Sequence, residues 1–326
     1  MFKKVYIISL KRRQDRREKL KQKLGSLNLF TEVEVEWVDG VDGRDLDVEI
    51  LTRDGFGTLN SFRSPTSGRN ITWGDIGCSM SHFLVWEKIL NDNSPALILE
   101  DDITFVDGFV DKLKKIDEEQ ADLKYDLLYL GRKKVFNKDE DKVTENIVKP
   151  SFSWWTSSYI VTPECASKFI SSNFKQNIIP PDDWLNVAHG SYPYDSISSS
   201  FNIEHIKAYA TKENLISQEP SSFSSSDTEK SNPFLAPSAP LSVGEKKFIA
   251  LSVATENNDP LQRLVNSYEY YGIPYNILGL GKKWGGGDMS AGPGGAQKIR
   301  LLREWLQKED NIQDLIIMFT DGYDVV

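Results

Sequence analysis

Short apolar runs recur along the chain, each closed by a polar or acidic cluster, with stretches of mixed apolar and charged residues between them. Runs of this length read as buried strands and the longer mixed stretches as helices, so the pattern predicts a mostly parallel α/β sheet. Residues 5–10 form the first strand and lead through Lys11, Arg12 and Arg13 into a charge-mixed helix to about Leu27. Residues 32–37 alternate into a second strand, 51–70 read as loop, and 73–86 as a turn entering an amphipathic helix. The third strand carries the feature around which the rest is organised. Ala96, Leu97, Ile98 and Leu99 run straight into Glu100, Asp101 and Asp102, and the apolar pattern then resumes at Ile103. A strand continuing through the acids would turn Glu100 and Asp102 to one face and Asp101 to the other. Beyond it lie a helix at 109–119, a strand at 126–130 ending in Gly131 and Arg132, and a strand at 153–161. Pro163 then starts a helix, and Pro180 and Pro181 fix a rigid turn that presents Asp182 and Asp183.

Residues 218–239 are rich in Ser and Pro with few large apolar groups, which marks a linker. Order returns after it: a strand at 248–253, a helix at 260–271, a short strand at 277–280, a Gly-rich segment, a helix from about Gly294 to Gln307, and an apolar strand at 315–320. That strand again ends in acids, Asp321 and Asp324. The expected organisation is a first domain over 1–225, a linker over 226–245 and a second, partial α/β segment over 246–326.

Composition narrows the function. The chain has 326 residues and a formal charge of −9, with a sequence pI near 5.1. An acidic surface argues against a nucleic-acid partner. Cys78 and Cys165 stand far apart without metal-like spacing, which suggests neither a disulfide framework nor a zinc site. The apolar part of the N-terminus is too short for a signal peptide and is followed by Lys11-Arg12-Arg13 in place of a cleavage site. No run reaches the length of a membrane span. The expectation is a soluble, cytoplasmic protein.

Three adjacent carboxylates repel one another and resist desolvation unless a cation joins them. In open α/β sheets ligands bind off the carboxyl ends of strands. Oxygen-only ligands there suit a hard divalent ion, Mg²⁺ or Mn²⁺, shared with a substrate phosphate. An exposed acidic loop is the simpler alternative. The basic turn after the first strand suits phosphate, or is a solvated helix face. His82 on its helix reads as packed. Trp154 and Trp155 suit stacking on a sugar or an aromatic core.

Read together, five motifs resemble glycosyltransferase family 25, and within it the catalytic domain of collagen hydroxylysine galactosyltransferases. They are the segment from Val5 to Arg17, Gly74-Asp75-Ile76-Gly77-Cys78-Ser79-Met80-Ser81-His82, Leu99-Glu100-Asp101-Asp102, the run from Tyr125 to Lys133, and Pro181-Asp182-Asp183-Trp184. The family also includes bacterial lipooligosaccharide galactosyltransferases. From about Lys246 onward, Val253-Ala254-Thr255, Gly279-Leu280-Gly281, Trp284, Gly286-Gly287-Asp288, Gly294-Gly295-Ala296-Gln297-Lys298 and Asp321-Gly322-Tyr323-Asp324 resemble the glycosyltransferase domain of procollagen lysyl hydroxylases. The sequence looks like part of a longer bifunctional polypeptide, similar to the collagen-modifying enzymes of giant DNA viruses, which would place it in host-cell cytoplasm.

The resemblance implies a GT-A-type, Rossmann-like domain that moves galactose from UDP-galactose to hydroxylysine of a collagen-like peptide, with inversion and with Mn²⁺ or Mg²⁺. It assigns Glu100 and Asp102 to the metal, and Ser9, Arg13, Asp39, Asp42, Ser81 and Asp101 to the donor. Inversion needs a base, and Asp182 and Asp183 are the candidates. Asp321 and Asp324 are the expected metal pair of the second segment. That segment ends at its metal motif, so it is expected to lack glucosyltransferase activity of its own and to pack on the first domain or, as a homodimer, on a second copy of the chain. The rival readings are a UDP-sugar-binding pseudoenzyme, a lipooligosaccharide-type transferase, and a second segment that serves only as a docking module.

Overall fold

The computed structural model describes residues 1–27, 30, 33–136, 139–219, 241–243, 246–284, 296–309, 312 and 315–321, with backbone alone at 241–243, 246, 296 and 321. The chain divides into two compact units, Met1–Ser231 and Asn232–Val326. Most of the expected linker, and Asp324, Gly286, Gly287, Asp288, Gly294 and Gly295, lie outside the described residues.

The first unit contains strands β1 (Lys4–Leu10), β2 (Glu34–Gly40), β3 (Ala96–Glu100), β4 (Ile103–Phe105), β5 (Leu127–Lys134), β6 (Ile147–Val148), β7 (Ser153–Val161), β8 (Ala208–Thr211) and β9 (Ile216–Gln218). Its helices are α1 (Gln14–Gly25), α2 (Val48–Arg53), α3 (Trp73–Asp92), α4 (Phe109–Glu119), α5 (Pro163–Ser171), α6 (Pro181–Ala188) and α7 (Asp195–Ser198). Seven strands form one sheet in the order β2-β1-β3-β7-β5-β8-β6. Five of them run the same way; β7 and β6 run against the rest. Residues alternate between the two faces, as the pleat requires. Val5, Ile7, Leu97, Leu99, Leu128 and Leu130 pack with Leu20 and Leu24 of α1 and with Leu113 and Ile116 of α4. On the other face Tyr159 meets α3, where Trp86, Phe169, Phe174 and Trp184 stack into an aromatic core.

Three expectations change here. The strand does not continue through the acids: β3 stops at Glu100, Asp101 and Asp102 form a bend, and β4 begins at Ile103, so the three carboxylates do not alternate between faces. Helix α3 is not amphipathic, because Gly77, Ser79 and Ser81 are buried along with Ile76, Phe83 and Trp86. Small polar residues make a second packing face that a hydrophobicity pattern does not register. The double proline starts a helix, not only a turn: Pro181 occupies the first helical turn of α6, where Asp182 and Asp183 face the positive end of the helix. Residues 51–70 are mostly loop, after the short helix α2.

The second unit has β10 (Leu241–Val243), β11 (Lys246–Val253), α8 (Asp259–Tyr270), β12 (Tyr275–Leu278), α9 (Ala296–Lys308) and β13 (Leu315–Asp321). β11 is parallel to both β12 and β13 and antiparallel to β10. Asn258 caps α8 by accepting from the Leu261 amide, and Leu261, Leu264, Val265 and Tyr268 turn inward. β12 lies two residues earlier than the apolar pattern suggested, because Gly279 and Gly281 adopt φ of +85° and +80° and turn the chain. No helix among the described residues is long and apolar enough to cross a membrane.

Candidate active site

A cavity of about 120 Å³ opens at the carboxyl ends of β1, β2 and β3, lined by Ser9, Arg12, Arg16, Val41, Asp42, Gly43, Gly74, Cys78, Ser81, Glu100, Asp101, Asp102 and Gln218, among others. Glycines let its walls meet. A Cβ on Gly43 would lie 2.2 Å from the Trp73 carbonyl oxygen, and one on Gly77 would lie 2.5 Å from that of Val41. The 41–43 segment therefore rests directly on the start of α3. Ser81 pins it further, its Oγ accepting the Val41 amide at 2.8 Å and donating to the Gly77 carbonyl at 2.6 Å. Helix α3 itself starts at a capping box, in which the Thr72 hydroxyl accepts the Asp75 amide and the Asp75 carboxylate accepts the Thr72 amide.

The acids carry the electrostatics. Asp101 is buried, and its carboxylate accepts from Ser9 Oγ at 2.7 Å and from Arg16 Nη1 at 3.1 Å. Burial nevertheless holds its pKa above the ordinary carboxylate value. Asp102 is buried too, with Arg16 Nη1 at 3.4 Å and Gln218 Nε2 donating to its Oδ2 at 3.1 Å. Its Oδ1 has no hydrogen-bond partner among the described residues. Burial, then the Glu100 charge, push Asp102 up to about 6, and Arg16 offsets only part of this. An orphaned buried carboxylate oxygen beside two further carboxylates fits a hard divalent cation. The donor set thus suits Mg²⁺ or Mn²⁺.

Glu100 is fixed from behind. Its Oε1 accepts from Thr156 Oγ1 at 2.7 Å and lies 3.3 Å from His82 Nε2. His82 Nδ1 is 2.7 Å from the Tyr159 hydroxyl, which in turn accepts from Trp86 Nε1 at 3.1 Å. Assigned from these heavy-atom positions, the donors run Trp86 to Tyr159 to His82 to Glu100, with the ring hydrogen on Nε2. Burial disfavours the charged carboxylate, yet the His82 and Thr156 bonds hold the Glu100 pKa below its ordinary value.

Beside Thr156, Trp155 adopts φ +77°, a conformation that costs a bulky residue strain and tends to occur at functional positions. Its amide donates to Asp182 Oδ2 at 3.5 Å, and Asp182 Oδ1 accepts the Asp183 amide at 2.9 Å. Burial, then the charge of Asp75, push Asp182 up to about 6. Asp183 is more buried, its Oδ1 lacks a partner among the described residues, and burial with the neighbouring Asp182 charge push it well up. Lys133 Nζ lies 5.5 and 5.9 Å from the Trp154 and Trp155 ring centres.

The model of glycosyltransferase family 25, described as LPS biosynthesis protein, matches residues 2–185. The chain belongs to glycosyltransferase family 25. Residues 244–326 match a second model, that of the PLOD GT domain. Among similar proteins, "Procollagen lysyl hydroxylase and glycosyltransferase" of Acanthamoeba polyphaga mimivirus is 30% identical over 293 residues, 85% of this chain and 32% of that protein. "Procollagen galactosyltransferase 2" of Homo sapiens is 32% identical over 221 residues, 66% of this chain and 35% of that protein. "Probable inactive glycosyltransferase 25 family member 3" of Bos taurus is 32% identical over 244 residues, covering 72% and 40%. The chain spans between 32% and 40% of the length of these relatives.

Of the candidate metal and donor residues, Ser9, Asp42, Ser81, Glu100, Asp101 and Asp102 line the cavity. Arg13 and Asp39 do not: Arg13 pairs with Asp15 at 2.8 Å, and Asp39 with Arg17 at 2.6 Å. Two other arginines of the same motif, Arg12 and Arg16, supply the cationic wall. Arg12 reaches Asp42 at 2.6 Å. Gln218, which holds Asp102 from 116 residues away, had no local signal in the sequence. Asp182 and Asp183 are not among the residues that line the cavity; Asp182 accepts from the Trp155 amide, and the adjacent Thr156 donates to Glu100. In the second unit Asp321 ends β13 opposite Val253, at the carboxyl end of a parallel strand.

Proposed function

We propose that the family 25 unit transfers galactose from UDP-galactose to the hydroxyl of hydroxylysine in a collagen-like acceptor, on a GT-A-type scaffold and with inversion. The reading is supported most by the unpartnered Oδ1 of Asp102, which sits among three carboxylates at the strand ends next to two arginines. Glu100 and Asp102 would hold Mn²⁺ or Mg²⁺, which when bound stabilises charge growing on the departing diphosphate. Arg12 and Arg16 face the same cavity and suit the diphosphate, while Asp42 is placed to accept from a ribose hydroxyl.

Asp182 is the better base of the two carboxylates, because Asp183 is nearly sealed and a base must reach its proton. In the step itself the acceptor oxygen bonds to the sugar's anomeric carbon as the bond to UDP breaks. UDP leaves with the bonding electrons, and the hydroxyl proton passes to Asp182. A raised carboxylate pKa suits that role near neutral pH. Ser9 and Arg16 keep Asp101 in place throughout. Asp321 and Asp324 are the corresponding metal pair proposed for the second unit.

A UDP-sugar-binding pseudoenzyme is the second reading, favoured by the likeness to the bovine relative whose name calls it inactive. Thermal shift with UDP and Mn²⁺ beside a UDP-release screen of UDP-galactose and UDP-glucose on a hydroxylysine collagen peptide separates them. Stabilisation with acceptor-dependent UDP release supports the transferase. Stabilisation without release supports the pseudoenzyme, and neither effect contradicts both.

A further inference from the structure

Cys78 and His82 stand one turn apart on α3, and Glu100 ends the adjoining strand β3. The Cys78 Sγ, a His82 ring nitrogen and a Glu100 carboxylate oxygen all lie within 4.8 Å of one another. We propose that these three side chains form a second cation site, for a borderline-soft divalent ion of the zinc type, distinct in chemistry from the oxygen-only site at Glu100 and Asp102, with which it shares Glu100.

The ligand set is the first support. Thiolate, imidazole and a single carboxylate select zinc-like ions, whereas oxygen-only sets select Mg²⁺ and Mn²⁺. The geometry is the second. Nitrogen and oxygen ligands about 2.0–2.1 Å from a tetrahedral zinc lie about 3.3 Å apart, and His82 Nε2 and Glu100 Oε1 are 3.3 Å apart. Third, the ring is already oriented: the Tyr159 hydroxyl holds Nδ1, as an outer partner commonly holds a metal-bound imidazole. Cys78 and Glu100 both line the cavity, which leaves a path for entry and room for water as a fourth ligand.

Binding requires the thiolate, so the Cys78 proton leaves to solvent as the ion arrives. The ring hydrogen moves from Nε2 to Nδ1, and the Tyr159 hydroxyl reverses from donor to acceptor, turning its own hydrogen away from the ring. Because Glu100 is shared, a zinc-type ion draws that carboxylate away from Asp102. Occupancy of the softer site therefore opposes use of the harder one.

The test is a Cd²⁺ titration of the full chain without donor or acceptor, following the thiolate-to-cadmium absorption in the ultraviolet and reversing it with Zn²⁺. The sequence has only two cysteines, and Cys165 is fully buried on α5, so assignment is direct. The expected result is one Cd²⁺ per chain, with a band lost in Cys78→Ser, retained in Cys165→Ser and Asp102→Asn, and affinity at least about tenfold weaker in His82→Asn. As a check that needs no variant, Zn²⁺ should protect Cys78 of the unaltered protein from alkylation, read by peptide mass. No band in the wild type, a band that survives Cys78→Ser, or unchanged alkylation would each overturn the site. None of these readouts depends on sugar transfer, so failure here leaves the transferase reading standing, and the reverse holds as well.

Discussion

At the scale of single residues, the site concentrates on carboxylates that the protein pairs only in part. Asp102 has one satisfied oxygen and one orphan, and burial with the Glu100 charge raises its pKa to about 6. Removing its charge relieves repulsion, so Asp102→Asn should keep the thermal midpoint within a few degrees. Its Mn²⁺ affinity, by calorimetry, should fall at least about tenfold. Unchanged affinity would place the ion elsewhere. Asp182→Asn should lower turnover at least about tenfold, roughly 1.4 kcal/mol of barrier, with UDP affinity unchanged, because the base acts in the transition state. Asp183→Asn should cost less turnover than Asp182→Asn. The reverse order, in initial rates, would exchange the two roles.

Between elements, two contacts shape the first unit, one of them at the cavity. Gly77 admits the Val41 carbonyl against α3, so Gly77→Ala should displace the 41–43 segment, weaken UDP binding and destabilise by about 1–3 kcal/mol in urea unfolding. Wild-type UDP affinity in that variant would show that the segment is no part of the donor wall. Further along β5, the buried Arg132 pairs with Glu140 at 2.5 Å, and Glu140 also takes the Ser151 amide at 2.6 Å. Burial works against the charge, but these bonds prevail and hold the Glu140 pKa at about 2, below the ordinary 4.5. A depressed acid stabilises fully above its unfolded-state pKa and loses that contribution as the pH falls through the folded one. Glu140→Gln should therefore cost about 3–5 kcal/mol near neutral pH by stranding Arg132. The gap to wild type should close between pH 4.5 and about 2. A gap independent of pH, in unfolding at several pH values, would contradict this.

The same elements show what sequence can carry. Helix α4 and strand β7 lie where the apolar pattern put them: α4 turns Phe109, Leu113 and Ile116 to one core at helical spacing, and β7 is a short run buried on both faces. The acid triplet and its place at strand ends were legible because charge at the end of an apolar run is a local signal. The bend that breaks β3 was not, because Ser9, Arg16 and Gln218 impose it from distant segments. Arg12 and Arg16 could not be told from Arg13 in a run where every other residue is basic or polar. Trp155's left-handed backbone has no sequence signature at all.

For the whole molecule, family membership rests on the match over residues 2–185, and the second unit carries its own match over 244–326. Relatives with comparable identity bear names that include both galactosyltransferase and inactive family member, so homology alone does not decide catalysis. The carboxylates bear on it through their placement: Glu100 is held by Thr156, and the adjacent Trp155 amide donates to Asp182 on a separate helix. The most direct test is transfer itself: UDP-galactose, Mn²⁺ and a hydroxylysine-containing collagen peptide with the full chain, read by product mass. The expected result is a mass gain of one hexose on hydroxylysine, absent on the lysine peptide, lost in excess chelator and lost in Asp102→Asn. Galactosylation that persists in excess chelator or in Asp102→Asn, or no product in the presence of bound UDP, would contradict a metal-assisted transferase at this site.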